Sequence, residues 1–395
     1  MCIARVFLFA NFMVVAASIP VIIDDWGLSA AQAGSIVSSF TVCYAVSLFG
    51  LSWLADHFGA KRVTVASAWA AAAAALAFGL FARDFTSAFL LYGLAGLTQG
   101  GTYTPVIMLF ADRFPPRWRG SAVGWLIGST SIGYAASLAV SGLAIGLGGW
   151  QAAFIASGIL PIAGAILLTA TLRDTANVIH PRTASGALRN TFLARSDGRR
   201  LVVGYTAHSW ELLGMWAWMP TFITTAAALG GFAAASATGI GAYISAAGHI
   251  IGAVASLTMG GLSDRLGRKA VLVGMAAISA VLSLTIGWLV WLPLVILAVL
   301  ALVYSFSAIG DSAVLSTALT EAVPPGSLGS VLAIRSLLGF GAGAIAPLVF
   351  GAILDATGDA ADSASFSWGM AFASLGVGGI IATACAVRLG RPMRP

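Results

Sequence analysis

The 395-residue chain is 59% hydrophobic and 9% charged, with a mean hydropathy of +0.95. Soluble domains carry about 25% charged residues, so this chain has too few polar side chains to cover a surface facing water. The net charge of +6 does not indicate a nucleic-acid partner, because the basic residues lie in the short connections between apolar segments.

Apolar runs of about 20 residues recur along the whole chain, as a helix crossing a bilayer requires. The alternation typical of outer-membrane barrels is not seen. A cleaved signal peptide is the alternative for the first run, because Arg5 precedes it, but cleavage would leave eleven helices. We predict an all-α membrane protein with twelve transmembrane helices, at about 3–23, 33–54, 63–82, 85–110, 120–147, 150–172, 201–227, 237–259, 270–290, 293–319, 330–354 and 367–388.

The charged residues outside these runs are distributed by sign. Basic residues occupy alternate connections and the C-terminal segment: Lys61 and Arg62; Arg113, Arg117 and Arg119; Arg173 through Arg200; Arg265, Arg268 and Lys269; and Arg388, Arg391 and Arg394. The other connections carry Asp24, Asp25, Asp84, Asp355, Asp359 and Asp362, with Arg83 as their base. The positive-inside rule then predicts a multi-pass inner-membrane protein with both termini in the cytoplasm.

The chain contains an internal duplication. The sequence SWLADHFGAKR at 52–62 returns as GGLSDRLGRKA at 260–270, which aligns Asp56 with Asp264, Gly59 with Gly267 and Lys61 with Lys269. We therefore predict two six-helix halves, 1–173 and 201–395, joined by a basic cytoplasmic linker at 174–200 that lies on the lipid surface.

The duplicated loop carries a family resemblance. It is similar to the pattern G-x-x-x-D-R-x-G-R-[KR]-[KR] of the major facilitator superfamily, and the second copy matches at Gly260, Asp264, Arg265, Gly267, Arg268 and Lys269. The first copy departs from the pattern at Ser52, His57 and Ala60. The resemblance covers the whole chain. It implies a secondary transporter that works by alternating access, which we expect to be a monomer without metal or cofactor.

The resemblance also implies a cytoplasmic gate built from the repeated motif. The expected gate residues are Asp56, Gly59, Lys61, Arg62 and Asp112 in the first half, and Gly260, Asp264, Arg265, Gly267, Arg268, Lys269 and Glu321 in the second. Its bases would pair with Asp112 and Glu321 in one conformation and separate in the other. The alternative is that the bases are ordinary positive-inside anchors.

Ionisable residues inside membrane spans are costly and usually functional. His208, Glu211 and Trp218 share one face of the seventh helix, which suits proton coupling or substrate binding. A structural pair between Glu211 and His208 is the alternative. His249, in the eighth helix, is either a site residue or a packing residue.

Asp311 and Arg335 are predicted at similar depth on the tenth and eleventh helices. We expect an ion pair between them, with Tyr304 on the same helical face as Asp311. This pair is either structural or an anchor for an anionic substrate at Arg335. In the first half the candidate cavity residues are uncharged: Asn11, Gln99 and Tyr103.

The sequence favours proton-coupled uptake of a small organic or inorganic anion, with Glu211 as the proton carrier. Proton-coupled efflux of drugs is the alternative. Against efflux, the fourth helix has Tyr92 where many proton-coupled members have arginine, and the fifth lacks the Gly-Pro of drug antiporters. An enzyme is not expected, because no nucleophile elbow, paired catalytic carboxylates or metal-ligand spacing is present.

Overall fold

The computed structural model describes residues 1–113, 116–179, 196–323, 325–358 and 363–390. The described part forms twelve helical spans: α1 (Cys2–Leu8 and Val14–Trp26), α2 (Ala30–Phe58), α3 (Ala60–Phe81), α4 (Phe85–Gln99 and Thr104–Arg113), α5 and α6 (the two parts of Pro116–Thr171), α7 (Ser196–Leu229), α8 (Ala234–Leu266), α9 (Arg268–Thr285), α10 (Leu294–Ala322), α11 (Pro325–Thr357) and α12 (Ser363–Val387). Most of the predicted linker lies outside these ranges.

Nine continuous helical segments in the described ranges are long and apolar enough to cross a membrane. One of them contains both α5 and α6, because its backbone is non-helical at Gly148 and Gly149. The spans α1 and α4 are each divided into two shorter helices. These three features account for the difference between nine segments and twelve spans.

The duplicated motif is a one-residue turn in both halves. We predicted longer loops, but α2 runs on to Phe58 and α8 to Leu266, with a single glycine before the next helix. Gly59 has φ 88° and ψ 141°, and Gly267 has φ 89° and ψ 145°. Residues with a Cβ rarely adopt this region, so glycine allows the chain to reverse within one residue.

Replacement of Gly267 by alanine is therefore expected to destabilise the protein by about 1–3 kcal/mol through backbone strain. An added Cβ would meet no atom within 4 Å, so a clash would not contribute. Thermal unfolding in detergent measures the effect. Gly274→Ala, a helical position with equally open surroundings, is the control and should not lower the Tm. An equal Tm for both variants would contradict the strain argument.

The breaks in α1 and α4 lie against each other. Helix ends leave backbone groups without intrahelical partners, and in a bilayer these need another partner. Gln99 Nε2 donates to the Leu8 carbonyl at 2.8 Å, and Arg5 Nη1 donates to the Thr102 carbonyl. Ser47 Oγ accepts from the Gly100 amide at 3.1 Å. Backbone groups exposed at the two breaks therefore find hydrogen-bond partners on neighbouring helices, and these partners are polar groups inside the first half.

The two halves approach each other closely near the acidic connections. A Cβ added to Gly34 of α2 would lie 2.2 Å from the Pro347 carbonyl oxygen of α11, and one added to Gly351 would lie 2.3 Å from that of Ala30. Asp355, at the end of α11, accepts hydrogen bonds from the Ala30 and Ala31 amides at 2.7 and 2.8 Å. The carboxylate of one half therefore caps a helix N-terminus of the other.

Removal of this cap is expected to favour the conformation in which the acidic end is open. A capping side chain contributes about 1 kcal/mol, so Asp355→Ala should shift the closed-to-open ratio by roughly fivefold. Electron spin resonance distances between labels at the exposed residues Gln151 and Ser236, in a variant with serine at every native cysteine, measure the populations. Asp24→Ala, at the same end, is the control. An unchanged distance distribution in Asp355→Ala would contradict the prediction.

Candidate functional site

The first half contains a buried arginine in α1. Arg5 is 3% exposed, and its Nε donates to Thr130 Oγ1 at 2.7 Å. Its guanidinium carbon lies 4.4 Å from the Phe9 ring centre and 4.9 Å from that of Tyr103. Nη2 has no hydrogen-bond acceptor among the described residues. A buried cation with an unused donor is suited to binding an anion.

The sequence did not lead us to Arg5 as a site residue, because we considered it only as the basic residue that precedes the apolar run of a signal peptide. The available signal was its position inside the first predicted helix, since charges within spans are usually functional. Its contacts, Thr102 and Thr130, belong to the interior of α4 and α5, which places the guanidinium within the helical bundle.

The predicted ion pair between Asp311 and Arg335 is wrong. Arg335 Nη1 instead donates to Ser316 Oγ at 2.9 Å, and its guanidinium carbon lies 4.1 Å from the Tyr205 ring centre. Arg335 Nε has no partner among the described residues. Equal depth does not fix the helical face: Ser316, five residues after Asp311, lies about 140° further round α10. That face of α10 meets Arg335, while Asp311 meets α7.

Asp311 pairs with a histidine. His208 Nδ1 lies 3.1 Å from Asp311 Oδ1, and both side chains are buried. The other ring nitrogen, Nε2, lies 3.0 Å from Ser312 Oγ. Both nitrogens of the imidazole therefore have polar neighbours on α10.

Glu211, one turn from His208, is held by serines of α9 and not by His208, with which a structural pair was the alternative interpretation. Ser279 Oγ and Ser283 Oγ donate to Glu211 Oε1 at 2.6 and 2.7 Å. Ser283 is also hydrogen-bonded to the hydroxyl of Tyr304. The two serines were not identified from the sequence, although their i, i+4 spacing in an apolar helix places them on one face.

The remaining candidates of the second half lie apart from this network. Trp218 belongs to the packing between α7 and α11: it is fully buried, stacks on Phe350 and donates to the Pro347 carbonyl at 2.9 Å. His249 lies between the halves, with ring centres 5.0 Å from Trp216 and 5.4 Å from Tyr134. Its Nδ1 has no partner among the described residues.

In the first half, two of the uncharged candidates have specific environments. Asn11 is buried in the interruption of α1, and its side-chain oxygen has no donor among the described residues. Tyr103 lies beside Arg5, and its hydroxyl is within electrostatic range of Arg335 and Tyr205 of the other half. Arg5 and Arg335 therefore both act electrostatically on the Tyr103 hydroxyl.

Tyr205 connects the arginine of the second half to the buried histidine. Its ring stacks under the Arg335 guanidinium, and its centre lies 5.9 Å from that of His208 on the same helix. A change of charge at the His208–Asp311 pair therefore occurs close to Arg335.

At the basic end, the motif residues hold each half together internally. Arg268 bridges Asp264 at 2.6 Å and Glu321 at 2.9 Å, all within the second half. Lys269 Nζ donates to the Leu389 carbonyl at 2.8 Å, at the end of α12. Lys61 Nζ makes the equivalent contacts just beyond the end of α6, where it donates to the Arg173 and Thr175 carbonyls at 3.0 and 2.7 Å. The repeat therefore extends to these contacts.

The other gate candidates have varied placements. Asp56 is half-buried and Arg265 is exposed. The backbone amide of Arg62 donates to the Asn177 side chain at 3.2 Å. The side chain of Asp112 lies outside the described part of the structure. That these residues act as a gate stays a prediction.

Residues 1–254 match the family model described as Major Facilitator Superfamily. The chain belongs to the Major Facilitator Superfamily. It is thus a multi-pass membrane transporter and not an enzyme, and the predicted family and twelve-helix fold are confirmed.

Curated relatives are distant. The chain is 26% identical to the "Probable 4-methylmuconolactone transporter" of Cupriavidus pinatubonensis, over 78% of this chain and 71% of the relative. It is 27% identical to the hexuronate transporter of Bacillus subtilis, over 91% and 87%. The gallate transporter of Pseudomonas putida is 28% identical over 46% of this chain and 40% of its own length.

Solved structures of the superfamily share the fold over almost the whole chain. An inward-facing, unoccupied bacterial homologue of the human lysosomal transporter Spinster gives a TM-score of 0.76 at 16% identity, covering 98% of this chain and 93% of its own. The nucleoside transporter NupG gives 0.73 at 15% identity, covering 98% of both chains.

Proposed function

We propose that this transporter moves a small organic anion into the cytoplasm together with protons, by alternating access between its halves. The observation that carries the proposal is the pair of arginines, Arg5 and Arg335, one in each half. Each has a guanidinium nitrogen without a partner among the described residues. A carboxylate bound between them would receive charge-assisted hydrogen bonds from both halves.

The surroundings of the arginines suit an organic anion. Tyr103 and Tyr205 place aromatic rings against the two guanidinium groups. Rings and hydroxyls can pack against an organic framework while the arginines hold its acidic group. Relatives named for gallate, hexuronate and 4-methylmuconolactone transport support this substrate class.

Coupling to protons follows from charge. A proton bound at His208, Asp311 or Glu211 adds one positive charge near Arg335 and strengthens anion binding there. By linkage, the bound anion favours protonation by the same factor. Such mutual stabilisation favours loading proton and anion together, as symport requires.

The expected topology relates this conformation to the two sides of the membrane. The basic connections are expected in the cytoplasm, at the inner membrane. Close contacts between the halves lie at the opposite, acidic end. We therefore interpret this conformation as inward-facing, ready to release substrate and proton to the cytoplasm.

A thermal-stability screen of the purified protein at acidic and neutral pH tests the proposal. The panel contains gallate, 4-hydroxybenzoate, glucuronate, sulfoacetate, phosphate and tetraphenylphosphonium. A ligand at 100 times its Kd stabilises by roughly 2.7 kcal/mol. We expect an organic anion to raise the Tm, more so at acidic pH, and Arg335→Ala to remove the shift while Arg83→Ala keeps it. Stabilisation by tetraphenylphosphonium alone would instead favour efflux.

A further inference from the structure

A large groove lies between α7, α11 and α12 of the second half. Its volume is about 520 Å³, within the usual range of about 300–1,000 Å³ for ligand sites, and it is open along one side. Four of its lining side chains are apolar and exposed: Val203, Leu338, Val377 and Ile381. Lipid tails are as apolar as leucine, so a surface of this kind on membrane spans faces the bilayer. The groove is therefore formed by one half and opens to lipid.

The polar groups in the wall of the groove already have partners. Trp210 Nε1 donates to the Ser374 carbonyl at 3.0 Å. Thr206 Oγ1 donates to the Val202 carbonyl at 2.9 Å, and Ser374 Oγ to that of Ala371 at 2.6 Å. The described residues that line the groove include no charged side chain. The groove thus offers its occupant van der Waals contact without hydrogen bonds, which suits an alkyl chain.

Two exposed arginines lie at the basic end of the groove. Arg199 precedes Val203 by four residues on α7, and Arg388 follows Ile381 by seven on α12. The Arg388 amide still makes the helical bond to the Ala384 carbonyl, at 3.3 Å. Residues four or seven apart share a helical face, so both arginines lie on the groove side of their helices. Seven residues of helix span about 10 Å, which one lipid molecule can bridge.

The arginine-bearing helix ends are joined to each other. Asp197 of α7 accepts from the Gly390 amide, just beyond α12, at 3.2 Å and pairs with Arg200 at 2.8 Å. The described residues of these two ends, 196–200 and 387–390, contain three arginines and one aspartate. The apolar groove therefore ends at a positively charged membrane boundary.

We propose that an anionic phospholipid of the leaflet at the basic end binds here, with one acyl chain in the groove and its phosphate against Arg199 and Arg388. An acyl chain gains no hydrophobic energy by leaving other lipids, so the charge of the headgroup selects this lipid over a zwitterionic one. A symmetric second copy of the chain is a poorer occupant, because it would bring the same arginines of both chains together. The inference does not depend on the transported substrate.

The bound chain would pack behind the buried polar network of α7. The groove residues Ala207 and Trp210 are the chain neighbours of His208 and Glu211. The lipid would therefore support α7 where it holds its titratable side chains, and its binding should raise the thermal stability of the protein.

Lipid selectivity is tested by photolabelling of the full chain in phosphatidylcholine nanodiscs. The probes are phosphatidylglycerol and phosphatidylcholine with the same diazirine-bearing acyl chain, and mass spectrometry locates the adducts. Phosphatidylglycerol should label Val203, Val377 or Ile381 more strongly. Each arginine should contribute about fivefold, the equivalent of about 1 kcal/mol. Equal labelling of the groove by both lipids would overturn the proposal.

Charge variants use the same assay. Arg199→Ala and Arg388→Ala should each lower groove labelling by phosphatidylglycerol about fivefold. Arg113→Ala, which removes an exposed arginine at the basic end of the first half, is the matched control and should keep it. Labelling that falls equally in all three variants would show a general surface-charge effect and contradict a site at this groove.

Filling the groove gives a second test. Ala342 lines it, whereas Ala333 is an exposed alanine of the same helix outside the lining. Phosphatidylglycerol added in detergent should raise the Tm of the wild type and of Ala333→Phe but not of Ala342→Phe. Each variant is first measured without lipid, so a folding defect appears as a lower starting Tm. A Tm rise retained by Ala342→Phe would place the lipid elsewhere, and a dimer whose formation excludes the lipid would assign the groove to a second copy; either result would overturn the proposal.

Discussion

Uptake of an organic anion is expected to fall by about a hundredfold when Arg5 is replaced by alanine. A hydrogen bond to a charged group contributes about 1.5–3 kcal/mol, and about 2.7 kcal/mol corresponds to a hundredfold change. Arg5 is the buried arginine that the first half contributes to the proposed site, where it donates hydrogen bonds to Thr102 and Thr130. Initial uptake rates of 4-hydroxybenzoate in proteoliposomes measure the loss.

Two further variants separate binding from folding. Arg5→Lys keeps the charge but not the planar fork, so it should retain folding and recover only part of the uptake. Arg83→Ala removes a guanidinium in a connection, where it bonds to nearby carbonyls, and should leave uptake unchanged. Full uptake by a correctly folded Arg5→Ala protein would exclude Arg5 from the anion site.

The second large effect is expected at Glu211. Glu211→Gln keeps the shape of the side chain and an oxygen that accepts from Ser279 and Ser283, but it cannot take up a proton. Accumulation driven by a pH gradient should then be lost, while exchange at equal pH continues. For one coupled proton, a gradient of one pH unit supports about tenfold accumulation, so the expected change is from about tenfold to none.

Matched substitutions define this experiment. Asp174→Asn makes the corresponding change at an exposed aspartate outside the expected gate and should keep accumulation. Asp311→Asn should lose it, because it removes the carboxylate partner of His208. Accumulation by Glu211→Gln equal to that of the wild type would exclude Glu211 as the proton carrier and leave the His208–Asp311 pair as the remaining candidate.

The sequence determined the membrane class, the twelve spans, the internal duplication and the family. These properties follow from hydropathy and charge along the chain. A helix that crosses a bilayer needs an apolar run of a given length, and each such run lies within one continuous stretch of sequence. The internal repeat was also visible in the sequence. The turns at Gly59 and Gly267 stand at equivalent places in the two halves, and their backbone conformation requires glycine.

Only the tertiary structure decided which polar groups meet. The sequence indicated the depth of Asp311 and Arg335 but not the rotation of α10, so it paired them with each other instead of with His208 and Ser316. It also passed over Arg5, whose importance depends on contacts with the distant α4 and α5. Helix formation in lipid is a local property, whereas the partner of a buried charge is set by the packing of several helices, and that packing is not written in any one segment.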